Sequence, residues 1–234
     1  MLIVTKPSPN QSRRIHGDDA VRLIVCHTPE GSYDSAVRHC LNPAAQVSYH
    51  RLYAKNGREA TQLVDWDMKA WHAGPMNSLS DGLSVEGFAR TFSLSDPGTV
   101  QFVKGVAERL VARGLPCQWT TDPVRGGFCR HGDLQSDRTD PTPDLNEWRL
   151  FVAMVQEQYD KLTEPSPWPR PIPPWFWTWA RWRLGEGEFK QWGPAHPDYR
   201  PGPPVPPPGI QWAPGGPYFW AWVRLTALLR ERRK

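Results

Sequence analysis

Residues 126–140 read GGFCRHGDLQSDRTD, a Gly- and Asp-rich stretch with the character of a loop, and the chain is organised around it. It presents His131 and Asp140 nine residues apart, with the cation Arg138 two places before the carboxylate. Imidazole nitrogen and carboxylate oxygen both suit a borderline divalent metal such as zinc, and a catalytic site uses three protein ligands and keeps one position open. This stretch supplies two of the three, so the third must come from elsewhere. Taken alone, the same spacing more often marks a polar surface turn, and the decision falls to the rest of the chain.

Upstream, residues 21–27 (VRLIVCH) form a β-branched apolar run stopped by TPEG, the pattern of a buried strand. Alternation puts Leu23, Val25 and His27 on one face and Cys26 on the other; a histidine at such a place is often a satisfied core residue. Residues 32–41 carry Ala36, Val37, Cys40 and Leu41 at helical spacing and stop at Asn42-Pro43. Residues 47–54 and 59–64 flank Asn56-Gly57, a strong hairpin signal that sets Tyr49 and His50 on opposite faces. Trp71-His72-Ala73-Gly74 follows as a loop, and residues 83–89 (LSVEGFA) read as a strand with Glu86 facing away from Leu83 and Val85.

Two helices follow. One starts at Asp96-Pro97, ends near Gly114 and has the stripe Phe102, Val103, Val106 and Leu110. The other opens on the capping-box-like Asp144-x-x-Glu147, runs to about Leu162 and has the stripe Trp148, Phe151, Val152, Val155 and Tyr159. Strands interleaved with amphipathic helices, plus one hairpin, predict an α/β fold with a mixed central sheet flanked by helices.

That domain is expected over residues 1–163, followed by a Pro-rich linker over 164–174 and a Trp-rich tail over 175–234. The charge divides the same way: residues 164–234 hold 10 Lys/Arg against 5 Asp/Glu, residues 1–163 hold 18 against 19. In the tail Trp175-Phe176-Trp177-Thr178-Trp179-Ala180-Arg181 recurs as Tyr218-Phe219-Trp220-Ala221-Trp222-Val223-Arg224, each copy read as a short helix entered after proline. The start MLIVTKPSPN has no secretory signal pattern, no run approaches the ~20 apolar residues of a spanning helix, and four cysteines without a CxxC pair are expected to be buried thiols.

Four fragments in order, VRLIVCHTPEG, VSYHRLYAKNGREATQLVDWDMKAWHAG, LSVEGFA and RHGDLQSDRTDP, together resemble the zinc-dependent N-acetylmuramoyl-L-alanine amidases shared by phage lysins and peptidoglycan recognition proteins. The likeness covers roughly residues 20–160. It implies Zn2+ held by His27, His131 and Asp140, with the fourth position left for a water whose pKa falls to about 7. Cys129, near His131, is the alternative ligand. The resemblance further implies Glu86 as the proton carrier, Arg138 as the cation that stabilises an oxyanion, and Tyr49 beside the scissile carbonyl. Arg138 stands where the family usually has lysine, a departure that puts the rate in question because guanidinium and ammonium reach differently. His72, Trp71 and Asn77 are expected to face substrate.

The implied reaction is hydrolysis of the amide between N-acetylmuramic acid and L-alanine of peptidoglycan, by a monomer made in the cytoplasm that reaches the wall during host lysis, as phage lysins do. A non-catalytic peptidoglycan-recognition module and a cytoplasmic muropeptide-recycling amidase are the rival readings. For the tail, stacking on wall glycan and polymers, contact with an anionic membrane surface, and plain packing compete. Nucleic-acid binding is not expected, because Glu186, Glu188 and Asp198 interrupt the basic residues.

Overall fold

A computed structural model describes residues 1–14, 17 and 20–164 of the chain. The chain divides into two units, Met1–Glu164 and Pro165–Lys234; the readings made for the linker and the Trp-rich repeats lie outside the described residues.

The elements in order are β1 (Leu2–Thr5), β2 (Gln11–Arg13), β3 (Leu23–His27), α1 (Tyr33–Leu41), β4 (Arg51–Tyr53), β5 (Glu59–Gln62), β6 (Met68–Ala70), β7 (Ser80–Val85), α2 (Pro97–Ala112), β8 (Gly127–Arg130), α3 (His131–Leu134) and α4 (Leu145–Thr163). Six strands form one sheet in the order β1-β5-β4-β7-β3-β8, and β2 pairs with β6 in a second, two-stranded sheet. β3 runs parallel to both its neighbours, while β4 and β5 are antiparallel across the Asn56-Gly57 turn. Gly57 sits there at φ 69°, a backbone conformation glycine adopts without strain. The expected mixed α/β fold is the one observed.

All five residues of β3 are buried, as a parallel strand covered on both faces should be. Ile24 and Cys26 join the core under α2 and α4, with Phe102, Val106, Leu110, Trp148, Phe151 and Val155. Val25 packs on the other side with Ala73 and Cys129. The same alternation splits β4, whose Leu52 meets α1 through Val37 and Cys40 while Tyr53 joins the α2/α4 core. Burying a side chain of this size contributes about 1.5–3 kcal/mol each, so the apolar stripes read in sequence hold the layers together.

Several boundaries differ from expectation. Residues 126–140 are not one loop: Phe128 and Cys129 are fully buried in β8 and α3 follows at once. The strand expected at 83–89 lies at Ser80–Val85. Its polar start escaped the hydrophobic pattern because Asp81 is buried against Arg14, Arg109 and Arg113 rather than exposed. The strand expected over 47–54 is regular only at Arg51–Tyr53. At α4 only half the capping box forms: Asp144 accepts the N–H groups of Asn146 and Glu147, while the Glu147 carboxylate accepts from Thr142 instead.

Candidate metal centre

His27 is the last residue of β3, and His131 follows directly on β8, the neighbouring parallel strand. Ligands in open α/β sheets collect at such carboxyl ends of strands. The chain then returns so that Gly132 N–H donates to the Asp140 carbonyl at 3.1 Å. A Cβ at residue 132 would lie 2.8 Å from the Arg138 carbonyl oxygen, so only glycine admits this close return. Arg130 braces the stretch by donating to Asp133 and to the Thr142 carbonyl, and Trp119 Nε1–H donates to Asp133.

The result is a compact donor set. His27 Nδ1 lies 3.1 Å from Asp140 Oδ2, and His131 Nδ1 lies 3.2 Å from Asp140 Oδ1. One ligand atom from each of the three falls within 4.8 Å of the other two, and all three residues are buried. Cys129 does not belong to this group; it lies deeper on the same side, packed with Val25 and Ala73.

Charge and protonation suit a cation. Burial pulls His27 down to about 4, with Asp140 opposing, so the imidazole is neutral at pH 7. Burial would push the Asp140 carboxyl up, but His131 and His27 beside it outweigh burial and hold it well below the usual carboxylate range. His131 Nε2 lies 2.9 Å from Gln135 Oε1, which can accept its N–H, and its Nδ1 faces the carboxylate at 3.2 Å. Two imidazole nitrogens and one carboxylate therefore fit a divalent metal of the zinc type.

His131 and Asp140 line a cleft of about 370 Å³ together with Glu30, His39, Tyr49, His72 and Arg138. Tyr49 sets its ring 5.1 Å from that of His27, and burial raises its hydroxyl above the usual range. Arg138 stands exposed on the rim, its nearest carboxylate being Asp137 at 3.7 Å. Glu86 is half-buried outside the cleft wall and accepts the Lys55 N–H at 2.7 Å. Trp71 and Asn77 also lie off the wall. Trp71 donates through Nε1 to Ser12, and Asn77 Oδ1 accepts the N–H groups of His72 and Ala73. Sequence reasoning missed Gln135, which the i, i+4 spacing from His131 could have suggested, and Glu30, which accepts from Thr28 and the Ala89 N–H and carried no signal.

A mixed α/β sheet that gathers two histidines and an aspartate at the ends of adjacent parallel strands, beneath an open cleft, defines a hydrolase-type domain with a metal-competent centre. The chain belongs to the N-acetylmuramoyl-L-alanine amidase family, whose model matches residues 17–143, and it is an amidase. It is 39% identical to N-acetylmuramoyl-L-alanine amidase A of Achromobacter lyticus over 66 residues, 28% of this chain and 37% of that relative. It is 26% identical to the 1,6-anhydro-N-acetylmuramyl-L-alanine amidase AmpD of Enterobacter cloacae over 181 residues, covering 66% of this chain and 91% of AmpD. Among solved structures, Staphylococcus aureus hydrolase AmiA aligns with a TM-score of 0.58 at 15% identity over 72% of this chain and 88% of AmiA. An AmpD derivative aligns at 0.51 and 24% over 65% and 94%. These two likenesses are of fold.

Proposed function

We propose that this chain hydrolyses the amide between the lactyl group of N-acetylmuramic acid and L-alanine in peptidoglycan, with Zn2+ held by His27, His131 and Asp140. The observation that carries the reading is the convergence of those three buried donors, two of which, His131 and Asp140, line a cleft. Bound there, zinc supplies Lewis acidity and a water of pKa near 7.

The chain's own residues do the rest. His27 is neutral and Asp140 is ionised at working pH, so neither has to lose a proton to serve as a ligand. The cleft orients the stem peptide, with Tyr49 as an aromatic wall beside the scissile bond. Arg138 on the rim offers N–H donors to the oxygen on which negative charge develops. Glu86 carries the proton from the attacking water to the leaving amine. The role is supported by position along the chain: Ser84 pairs with His27 in register, and Glu86 follows one residue past the end of that strand. The cleft carboxylate Glu30 is the competitor, and parallel Glu86→Gln and Glu30→Gln variants separate the two: the proton carrier is the one whose loss keeps zinc and abolishes turnover.

The full-length AmpD likeness favours a second reading, action on soluble 1,6-anhydro muropeptides. The lysin reading leans instead on the aromatic, basic tail of residues 175–234, which would hold the enzyme to wall glycan or its anionic polymers. Zinc-loaded full chain is therefore incubated with intact walls and with soluble anhydro-muropeptides. Release of peptides with free L-alanine amino termini, without new reducing sugar ends, is expected, and preference for walls supports lysis over recycling. New reducing ends, or a zinc-loaded chain that releases no peptide from either substrate, would overturn the amidase reading of this site.

A further inference from the structure

Neutral histidine exists as two tautomers, and only one of them gives His27 an Nδ1 lone pair to share with a metal. Within the donor triad, Asp140 at 3.1 Å by itself draws the proton to Nδ1 when no cation is present. The groups behind His27 select the other tautomer.

The Met76 backbone carbonyl can only accept, and Ser80 Oγ lies 2.7 Å from it, so the serine hydroxyl donates there. Ser80 Oγ is then the acceptor for His72 Nε2, 3.4 Å away, which places the His72 proton on Nε2 and a lone pair on Nδ1. His72 Nδ1 is 3.0 Å from His27 Nε2, so His27 Nε2–H is the donor of that bond. What remains on His27 is a bare Nδ1, the atom that faces Asp140 at 3.1 Å.

The place of His72 is built for this. Asn77 Oδ1 accepts its backbone N–H at 2.9 Å, and its ring packs so closely on β7 that a Cβ at Gly82 would come within 2.5 Å of it. Both rings are buried, which favours their neutral forms. The ring edge also reaches the cleft wall, but its two nitrogens are turned to Ser80 and His27.

We propose that His72 is a positioning residue for the metal centre: anchored through Ser80 to the Met76 carbonyl, it locks His27 in the Nε2–H tautomer and so presents Nδ1 as the ligand atom. This rests on the reading of His27, His131 and Asp140 as metal ligands. Partners of this kind are worth about 10–100-fold in metal affinity.

The test uses the full chain labelled with 15N-histidine. Without metal, long-range 1H–15N correlations should report the Nε2–H form for His27 in the parent chain and a loss of that bias in His72→Ala and Ser80→Ala. Zinc competition against a chelator should show His72→Ala weakened about 10–100-fold. His72→Asn, whose Oδ1 can take the proton-accepting place of Nδ1, should recover most of the affinity. An Nδ1–H tautomer for His27 in the parent chain overturns the proposal. So does a His72→Asn variant that melts like the parent yet binds zinc as weakly as His72→Ala. Should the alanine variant not fold, the parent tautomer and the asparagine variant still decide. A parent chain that binds no zinc overturns the metal reading along with this one, whereas zinc binding with the wrong tautomer overturns this one alone.

Discussion

Replacing Asp81 by asparagine removes the charge at the centre of a buried ionic cluster while keeping the shape of the side chain. The carboxylate accepts from Arg14 at 2.5 Å, Arg109 at 2.7 Å and Arg113 at 2.8 Å, and its side chain is wholly buried. Burial alone would raise the carboxyl, but His50, Arg113 and Arg109 outweigh it and hold the group at about 2, against an ordinary 3.8. Because the folded value is the lower one, this stabilisation is complete above the unfolded pKa of 3.8 and is lost as pH falls through about 2. A drop of that size is worth about 2 kcal/mol at neutral pH. Removing one member of a buried ion pair costs about 3–5 kcal/mol, since the guanidiniums then face a neutral amide. The asparagine variant should therefore be about 2–5 kcal/mol less stable. Urea denaturation of the full chain at pH 7 measures the difference as a lowered midpoint, and a series toward acid pH should show the gap closing as the parent carboxylate protonates. A variant with the parent's midpoint at pH 7, or a gap that stays constant into acid, would refute the reasoning.

His50 adds a second acid-sensitive term. Gly82 N–H donates to its Nδ1 at 2.9 Å and its Nε2 lies 3.1 Å from the Met68 carbonyl, so one neutral tautomer satisfies both. Burial lowers it from 6.5 to about 4, with Asp81 opposing and Arg14 and Arg109 assisting. The unfolded chain takes up this proton first, so stability should fall by up to about 3 kcal/mol between pH 6.5 and 4, and the slope should flatten in His50→Gln. Gly132→Ala, whose new methyl meets the Arg138 carbonyl at 2.8 Å, should displace Asp140 and weaken zinc about tenfold or more by chelator competition, with little change in melting temperature. Asp144→Ala removes the acceptor for two N–H groups at the start of α4 and should cost about 1 kcal/mol in the same urea assay, leaving zinc affinity unchanged.

The elements that patterning exposes were legible in the chain. The apolar stripes of α1, α2 and α4, the run at β3 and the Asn56-Gly57 turn each depend on neighbours in sequence, and each stands within a few residues of its expected place. The candidate donors were legible too, but through the ordered fragments of a family and not through local chemistry. An H-x8-D spacing says nothing of a histidine more than a hundred residues away.

What required the tertiary structure is everything set by contact across the sheet. The edge strand β1 and the small β2–β6 sheet carry too few residues to show a period. Asp81 carries no sequence signal, because its three arginines come from distant segments. His72, Trp71 and Asn77 are themselves expected from sequence to face substrate, and in the structure their polar atoms turn to Ser80, Ser12 and the backbone. The amino-acid order determined which side chains alternate and where helices begin. Only folding decided which nitrogen of His27 meets Asp140, because that choice is made by hydrogen bonds from His72 and Ser80, which no local periodicity brings to it.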